Sequence, residues 1–480
     1  MLSSFNHTFS SMTADSRKVQ KGALFLAYPG LHSDGRNYIA QAIQAGAAAV
    51  MWEKQGFVWN DAWQVANMPV EGLKNQVGKI AAEFYHYPSQ KLGVIGVTGT
   101  NGKTSVSQWV AQALSALGQK TAVIGTIGNG FIDAQAEAVN TTPDAILLQA
   151  MLDDFVQHGA GAVAMEVSSH GLHQGRLNGV AFDIAVLTNL SRDHLDYHET
   201  MEAYAGAKAQ LFDWQGLGMA VLNADDDFGL MIARSLKAQG KPMMTYGLNA
   251  GDVRGLGLRL HQQGLEMQVT TPMGDARLIA PVIGRFNAYN VLAVLATLLA
   301  FEVPLEDALA SIANIKPVQG RMQQFGGGGK PLVVVDYAHT PDALDKVLTS
   351  LREQTQGKLI CVFGCGGNRD VGKRPLMGQV AERLADRVVV TSDNPRNEHA
   401  MHIINAIMTG MKTSPLSDVI VEEDRAKAIA HAVQLAVKGD TVLVAGKGHE
   451  NYQEIAGVKH YFSDAEQVSL ALKLVLEAHV

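Results

Sequence analysis

Apolar positions cluster into short runs separated by longer stretches with helical spacing. Between residues 89 and 315 the runs at 92–97, 121–124, 162–167, 183–188 and 219–222 predict strands, and 105–117 and 201–212 predict helices among them. Such alternation argues for a mostly parallel sheet covered by helices. Residues 252–282 break the rhythm and predict antiparallel hairpins, after which 287–299 returns to helix. Upstream, residues 1–88 predict short strands and one helical stretch, 38–45, ending at Gly46. Downstream, Pro317, Gly320 and Gly326-Gly327-Gly328-Gly329 punctuate the chain. A second series then predicts strands at 332–336, 359–363, 387–391, 419–421 and 441–444. The last helix is expected to start at Asp464, where Asp464 and Gln467 have capping-box spacing. The fold class expected is α/β in three domains: 1–88, a central 89–315 with a mostly parallel sheet, and a doubly wound, Rossmann-like 316–480.

One strand end carries recognisable chemistry. LGVIGVTGTNGKT, residues 92–104, is an apolar run, a glycine-punctuated turn and a helix start. Backbone N–H groups of Gly99, Thr100, Asn101 and Gly102 would face an anion at the helix N-terminus. Lys103 would reach the outer phosphates and the Thr104 hydroxyl a Mg2+ ion. The strict phosphate-loop pattern wants glycine where Val97 stands; glycines lie instead at Gly96 and Gly99.

Composition narrows the remaining classes. With 480 residues, 47% hydrophobic and 18% charged, the chain is long enough for several packed cores. A net charge of −7 disfavours nucleic-acid and membrane-surface binding. Cys361 and Cys365 stand close together without a second pair, which argues against zinc and against a disulfide scaffold. The first residues lack a basic segment followed by an apolar run, and the apolar stretch 291–301 is too short to span a bilayer, so a cytoplasmic location without membrane insertion is expected.

Further polar groups gather at predicted strand ends, where ligands of open α/β sheets bind. Glu166, in AMEVSSH, suits a metal ligand for a phosphate-bound ion, or a cap on the next turn. Asp193 and His194 follow the strand at 183–188. Lys208 has Ala205, Gly206, Ala207 and Ala209 around it; spacing alone reads it as a solvated helix lysine. In the last domain CGGNRDVGKRP (365–375), Asp393-Asn394-Pro395-Arg396 and Gly446-Lys447-Gly448-His449-Glu450 all end strands. An arginine and acidic groups at one crevice suit a zwitterionic amino acid. Ordinary loop caps and surface ion pairs are the alternative.

TGTNGKT, EVSSH and NLSRDHLDYH resemble the Mur ligases, ATP-dependent amide-bond enzymes that build the peptidoglycan stem peptide. DSR (15–17), NTTPD (140–144), DYAHTPDAL (336–344), DNPR and GKGHE resemble the branch that adds the third residue, and the likeness runs in order along nearly the whole chain. It implies an N-terminal UDP-binding domain, a central P-loop ATPase domain and a C-terminal amino-acid domain. The substrates implied are ATP, UDP-MurNAc-L-Ala-D-Glu and meso-diaminopimelate, joined through an acyl phosphate, by a monomer in the cytoplasm. Lysine-adding relatives carry a different tetrad from DNPR, and a lysine-adding ligase is the nearer alternative. Folylpolyglutamate synthetase and an ATP-driven switch are more distant ones.

Matched position by position, Lys103, Lys208 and His194 would be catalytic. Lys208 would carry a CO2-derived carbamate and join Thr104, Glu166 and His194 as Mg2+ ligands. Asn287, Arg321 and Asp336 would flank ATP. Ala14 (through its backbone), Ser16, Leu31, His32 and Ser33 would hold the uridine nucleotide. Asn140, Thr141, Thr142, Ser168, Gln174 and Arg176 would hold the muramoyl dipeptide. Arg369, Asp393, Asn394, Pro395, Arg396, Gly446 and Glu450 would form the diaminopimelate pocket. One departure is visible: relatives often place a proline soon after the glutamate that follows DNPR, whereas Glu398 here leads into His399-Ala400-Met401.

Overall fold

The computed structural model describes residues 1–5, 8–30, 33–261, 263–412 and 418–477. The chain forms two compact units, Met1–Leu222 with Asp226–Met244, and Asn223–Asp225 with the chain from Thr245 onward.

The first unit opens with a small parallel sheet, in the order Met12–Thr13, Leu24–Ala27, Ala49–Glu53, Ala66–Val70. Besides the expected short helix, Ile39–Gln44, it carries a second that the sequence reading omitted, Leu73–Phe84. Its apolar positions Leu73, Val77, Ile80 and Ala81 keep helical spacing and pack into the N-terminal core. Gly78 in its middle obscures the pattern, yet a glycine is required there: a methyl would strike the backbone carbonyl of Asn178. The Glu53 carboxylate accepts the N–H groups of Gly72 and Leu73, so the helix start is capped from a neighbouring strand (3.2 and 2.7 Å).

The larger sheet of this unit runs Met219–Asn223, Ile184–Leu187, Gly93–Thr98, Ala162–Glu166, Thr121–Ile124, all parallel. Two short antiparallel strands, Asn129–Phe131 and Ala134–Ala136, extend one edge. Gly93–Thr98 lies inside the sheet and is almost wholly buried, so the turn after it is mounted on rigid backbone. Helix Lys103–Ala116 starts two residues earlier than expected, and Met201–Ala209 ends sooner.

In the second unit the expected hairpins are the antiparallel strands Val253–His261, Gly264–Thr271 and Gly274–Ala280. A second sheet follows, in the order Gln323–Gly326, Leu332–Asp336, Thr441–Ala445, Leu359–Phe363, Arg387–Val390, Val419–Val421, parallel except for the first. Helices Pro341–Arg352, Lys373–Leu384 and Ala400–Met408 pack on one face; Arg425–Leu435 and Asp464–Glu477 pack on the other. This is the doubly wound architecture expected. Cys361 and Cys365 are buried free thiols within it.

The capping box expected at Asp464 is not formed. Ser463 Oγ accepts the N–H of Glu466 at 3.4 Å, while the fully buried Asp464 carboxylate takes Nε and Nη2 of the equally buried Arg425, both at 2.7 Å. Arg425 also donates to the carbonyls of Ser392 and Ala445 (3.3 and 2.9 Å), joining two strand ends. Removing one member of such a pair strands a buried charge. Asp464→Ala should therefore lower the unfolding free energy by roughly 3–5 kcal/mol in a urea titration, and Arg425→Met with Asp464→Leu should recover most of it. A single variant as stable as the parent, or a double variant no better than the single, would contradict this account.

Candidate active site

The turn after Gly93–Thr98 is held from outside by the segment that follows Ile184–Leu187. Thr100 N–H donates to Asn189 O at 2.8 Å, Asn101 N–H to Asn189 Oδ1 at 3.1 Å, and Thr188 Oγ1 to Asn101 O at 2.6 Å. Gly99 and Gly102 adopt φ of +146° and +87°, which a side chain would strain. A methyl on Gly99 would also overlap Thr188 Oγ1. Gly102 is the N-cap of helix Lys103–Ala116, whose N-terminus carries partial positive charge.

Lys103 Nζ curls back to the carbonyls of Gly99 and Thr100 (2.9 and 3.0 Å). Lys208 Nζ reaches the same Gly99 carbonyl, at 2.8 Å. The solvated lysine inferred from spacing is thus corrected: Lys208 is 1% exposed. Burial, reinforced by the Lys103 ammonium, pushes its amine well below the ordinary lysine value, against the weaker pull of Asp193. Tyr204, one helical turn earlier, covers it, with Nζ 4.7 Å from the ring centroid. The Tyr204 hydroxyl lies 3.2 Å from Thr100 Oγ1, so one ring braces both the loop and the lysine.

Glu166 ends its strand beside this loop, 1% exposed. Its carboxylate accepts Thr126 N–H at 2.8 Å and Thr126 Oγ1 at 3.1 Å, from a loop that sequence reading did not single out. The close approach depends on Gly125, where a methyl would overlap Oε1. His194 sits at φ +54° with Nε2 3.6 Å from Asp193, and burial lowers its pKa, so the imidazole favours the neutral, metal-binding form. Among the described residues no three His, Cys, Asp or Glu side chains gather as a metal cluster. The groups expected from sequence to hold a cation are one hydroxyl (Thr104), one carboxylate (Glu166), one imidazole (His194) and Lys208. That set suits a hard cation which keeps water and phosphate ligands, provided Lys208 gains oxygen atoms.

Of the residues expected to hold the muramoyl dipeptide, all but Asn140 belong to one hydrogen-bonded series. Thr142 Oγ1 donates to Glu166 O at 2.9 Å and accepts Ser168 N–H at 3.0 Å, and Thr141 Oγ1 lies 3.1 Å from Thr126 Oγ1. Ser168 caps helix Ser169–His173. Arg176 grips Gln174 Oε1 with Nε and Nη2 and reaches Thr142 O at 2.8 Å, while Asn140 is exposed. In the N-terminal sheet region, Ser16 Oγ donates to Gln41 Oε1, Ser33 O accepts Gly30 N–H, and Ala14 packs on the core. Leu31 and His32 lie outside the described residues.

In the second unit Asp336 is buried and its two oxygens accept the N–H groups of Met322 and Ala338, both at 2.8 Å. Arg321 stacks on Tyr337, 4.4 Å from the centroid. Asn287 Nδ2 donates to Ile283 O within its helix start. Asp336 here organises two loops through its carboxylate.

Several of the residues expected to form the amino-acid pocket lie close together. Asn394 Nδ2 donates to Glu450 Oε2 at 2.8 Å, and Gly446 leaves room for Asp393. Arg396, at φ +52°, directs Nε to Glu454 Oε2 (3.1 Å) and Nη1 to Gly367 O (2.9 Å). Its backbone is clasped by hairpin Tyr452–Ile455/Val458–Tyr461 through Glu454 O and Ala456 N–H. Arg369 is exposed beside Gly366. The loop that lacks the proline is tied by Glu398, which pairs with the buried Arg374 at 2.9 Å and accepts Asn368 N–H. Glu454 and Lys447 were not assigned roles from sequence: Glu454 pairs with Arg396, 58 residues away, and Lys447, though three residues from Glu450, also reaches the distant Asn394.

Family comparisons agree with this layout. The "Mur ligase family, catalytic domain" profile matches residues 8–85, "Mur ligase middle domain" 97–298, and "Mur ligase, glutamate ligase domain" 320–448. A Chromobacterium violaceum protein named UDP-N-acetylmuramoyl-L-alanyl-D-glutamate–2,6-diaminopimelate ligase is 53% identical over 462 residues, 96% of this chain and 93% of that protein. A Pseudomonas aeruginosa protein of the same name is 51% identical, covering 96% and 94%. A solved structure of that ligase aligns with a TM-score of 0.73 at 38% identity, covering 98% of this chain and 96% of its own. Mycobacterium tuberculosis folylpolyglutamate synthase complexed with ADP shares the fold alone, at 19% identity, a TM-score of 0.64 and 78% of this chain. With family matches in all three regions and relatives above half identity over nearly its whole length, the chain belongs to the Mur ligase family.

Proposed function

We propose that this chain joins meso-diaminopimelate to the γ-carboxylate of the D-Glu residue of UDP-MurNAc-L-Ala-D-Glu, with ATP converted to ADP and phosphate. One observation carries it: over 96% of its length the chain is 53% identical to a relative bearing that name. A γ-carboxylate oxygen attacks the γ-phosphorus of ATP, the bond to the ADP oxygen breaks, and an acyl phosphate forms. The diaminopimelate amine then attacks the acyl carbon, losing a proton as phosphate leaves. Lys103 and the N–H groups at the start of its helix would stabilise charge on the transferred phosphoryl group, whereas the Thr100 and Asn101 N–H groups, expected from sequence to face the anion, donate to Asn189 instead. Arg176, Thr142 and Ser168 would orient the dipeptide. Arg396 would pair with the far carboxylate of diaminopimelate, a group lysine lacks.

Mg2+, held by Thr104, Glu166, His194 and a carbamate on Lys208, would neutralise phosphate charge when bound. The Lys208 environment supports that modification. A neutral amine can attack CO2, forming an N–C bond and releasing a proton, and burial favours the neutral amine here. Domains bounded near 88 and 315, work in the cytoplasm and a monomeric state complete the proposal; no described helix is long and apolar enough to cross a membrane.

Two measurements test it. Amide formation with meso-diaminopimelate should exceed that with lysine by about a hundredfold or more, the scale of the charge-assisted hydrogen bonds that lysine cannot make to Arg396, and ADP release should require the UDP-sugar dipeptide. Equal rates, or ADP release without the dipeptide, would overturn the assignment. Lys208→Ala should lose about a hundredfold or more of activity, and millimolar formate or acetate should restore part of it. Loss with no recovery by any short carboxylate would count against the carbamate.

A further inference from the structure

Lys447 is a fully buried charge beside the amino-acid pocket: its side chain is 0% exposed, just past the end of strand Thr441–Ala445. Its Nζ lies 3.0 Å from Asn394 Oδ1 and 3.0 Å from Glu450 Oε2, and 5.5 Å from the centroid of the Tyr452 ring. Burying an ammonium is expensive unless it is hydrogen-bonded and paired. Here both partners are side chains of the pocket, drawn from two different loops. We propose that Lys447 is a positioning residue for the amino-acid substrate, acting through Asn394 and Glu450. The proposal rests on reading this pocket as the diaminopimelate site.

The geometry gives each contact a consequence. Asn394 Oδ1 faces two donors, Lys447 Nζ and the Glu454 N–H at 2.9 Å, so its amide has one satisfactory orientation. Nδ2 must then point at Glu450 Oε2. That oxygen collects two donors, from Asn394 and Lys447, while Oε1 receives no protein donor among the described residues. The Glu450 side chain remains 17% exposed. Lys447 thus anchors one carboxylate oxygen and leaves the other turned towards solvent, where a substrate ammonium can bind it. A lysine is suited to this task because one point charge can serve two acceptors that an arginine fork would drive apart. The glycines on either side permit the approach: Gly446 and Gly448 take φ of +115° and +54°, and the turn closes through Glu450 N–H to Lys447 O at 3.0 Å.

Steady-state kinetics on the intact protein tests the inference, varying meso-diaminopimelate, ATP and UDP-MurNAc-L-Ala-D-Glu in turn. Lys447→Met keeps length and apolar bulk but removes the charge. It should raise KM for diaminopimelate about tenfold or more, the scale of one charge-assisted hydrogen bond, with the other two KM values within about twofold of the parent. Glu450→Gln should raise the same KM, and the double variant should raise it little beyond the worse single one, since both act on one carboxylate. If Lys447→Met does not fold, Lys447→Arg gives the same readout, because it keeps the charge and disturbs the shared geometry. An unchanged KM for diaminopimelate, an equal rise in all three, or strict additivity in the double variant would overturn the positioning role. A parent enzyme that does not use diaminopimelate would instead overturn the functional assignment.

Discussion

The Gly99 carbonyl accepts from two lysines, Lys103 on the phosphate-loop helix and Lys208 from another helix, and much of the first unit is built to make this possible. Two ammonium groups on one carbonyl, one of them almost wholly buried, repel each other and cannot both remain charged cheaply. The more deeply buried one yields, and the tendency falls on Lys208. Around this point the remaining contacts are braces. Asn189 and Thr188 hold the loop backbone, Tyr204 holds Thr100, and Thr126 holds Glu166. Anionic oxygen atoms placed on Lys208 would turn the repulsion into a site for a cation. On the proposed carbamate reading a lysine can serve here, where a permanently charged arginine could not.

The second unit solves a comparable problem with permanent charges. Arg425 and Asp464 are wholly buried, and the arginine spans the carbonyls of Ser392 and Ala445, the residues just before the DNPR and GKGHE loops. Strand ends in a parallel sheet diverge with the twist, and their carbonyls need partners. A planar guanidinium with five donors can join two such ends and still pair with a carboxylate. The loops then start from fixed points, and Asn394, Arg396 and Glu450 emerge within hydrogen-bonding reach of neighbours rather than as free surface groups.

Much of this was legible in the sequence, for definite reasons. Strands 332–336 and 359–363 carry their expected limits because buried parallel strands are continuous apolar runs bounded by polar residues. The loop at Gly99 was legible because its chemistry is local, within six residues. What escaped was set by distant contacts. Helix Leu73–Phe84 was hidden by Gly78, whose need comes from the carbonyl of Asn178 about a hundred residues away in sequence. Asp464 has the composition of a cap, but Arg425 claims it. Lys208 has the spacing of a surface lysine, because burial is a property of what packs over a helix and not of the helix itself.

The absent glycine at Val97 follows from the same distinction between local and distant causes. Val97 is fully buried within a strand paired on both sides, where a side chain fills the core and φ is ordinary. Glycine is needed one residue earlier. A methyl on Gly96 would lie 2.7 Å from the Phe182 ring and 3.2 Å from Val167, so this position is cleared for packing. It is needed again at Gly99, where the chain turns with positive φ against Thr188. The cradle requires a sharp turn, close approach of backbone to its neighbours and a lysine at the helix start; it does not require glycine at any one count from the lysine. Here the turn begins at Gly99, which frees Val97 to pack the core and leaves the Gly99 carbonyl aimed at both lysines.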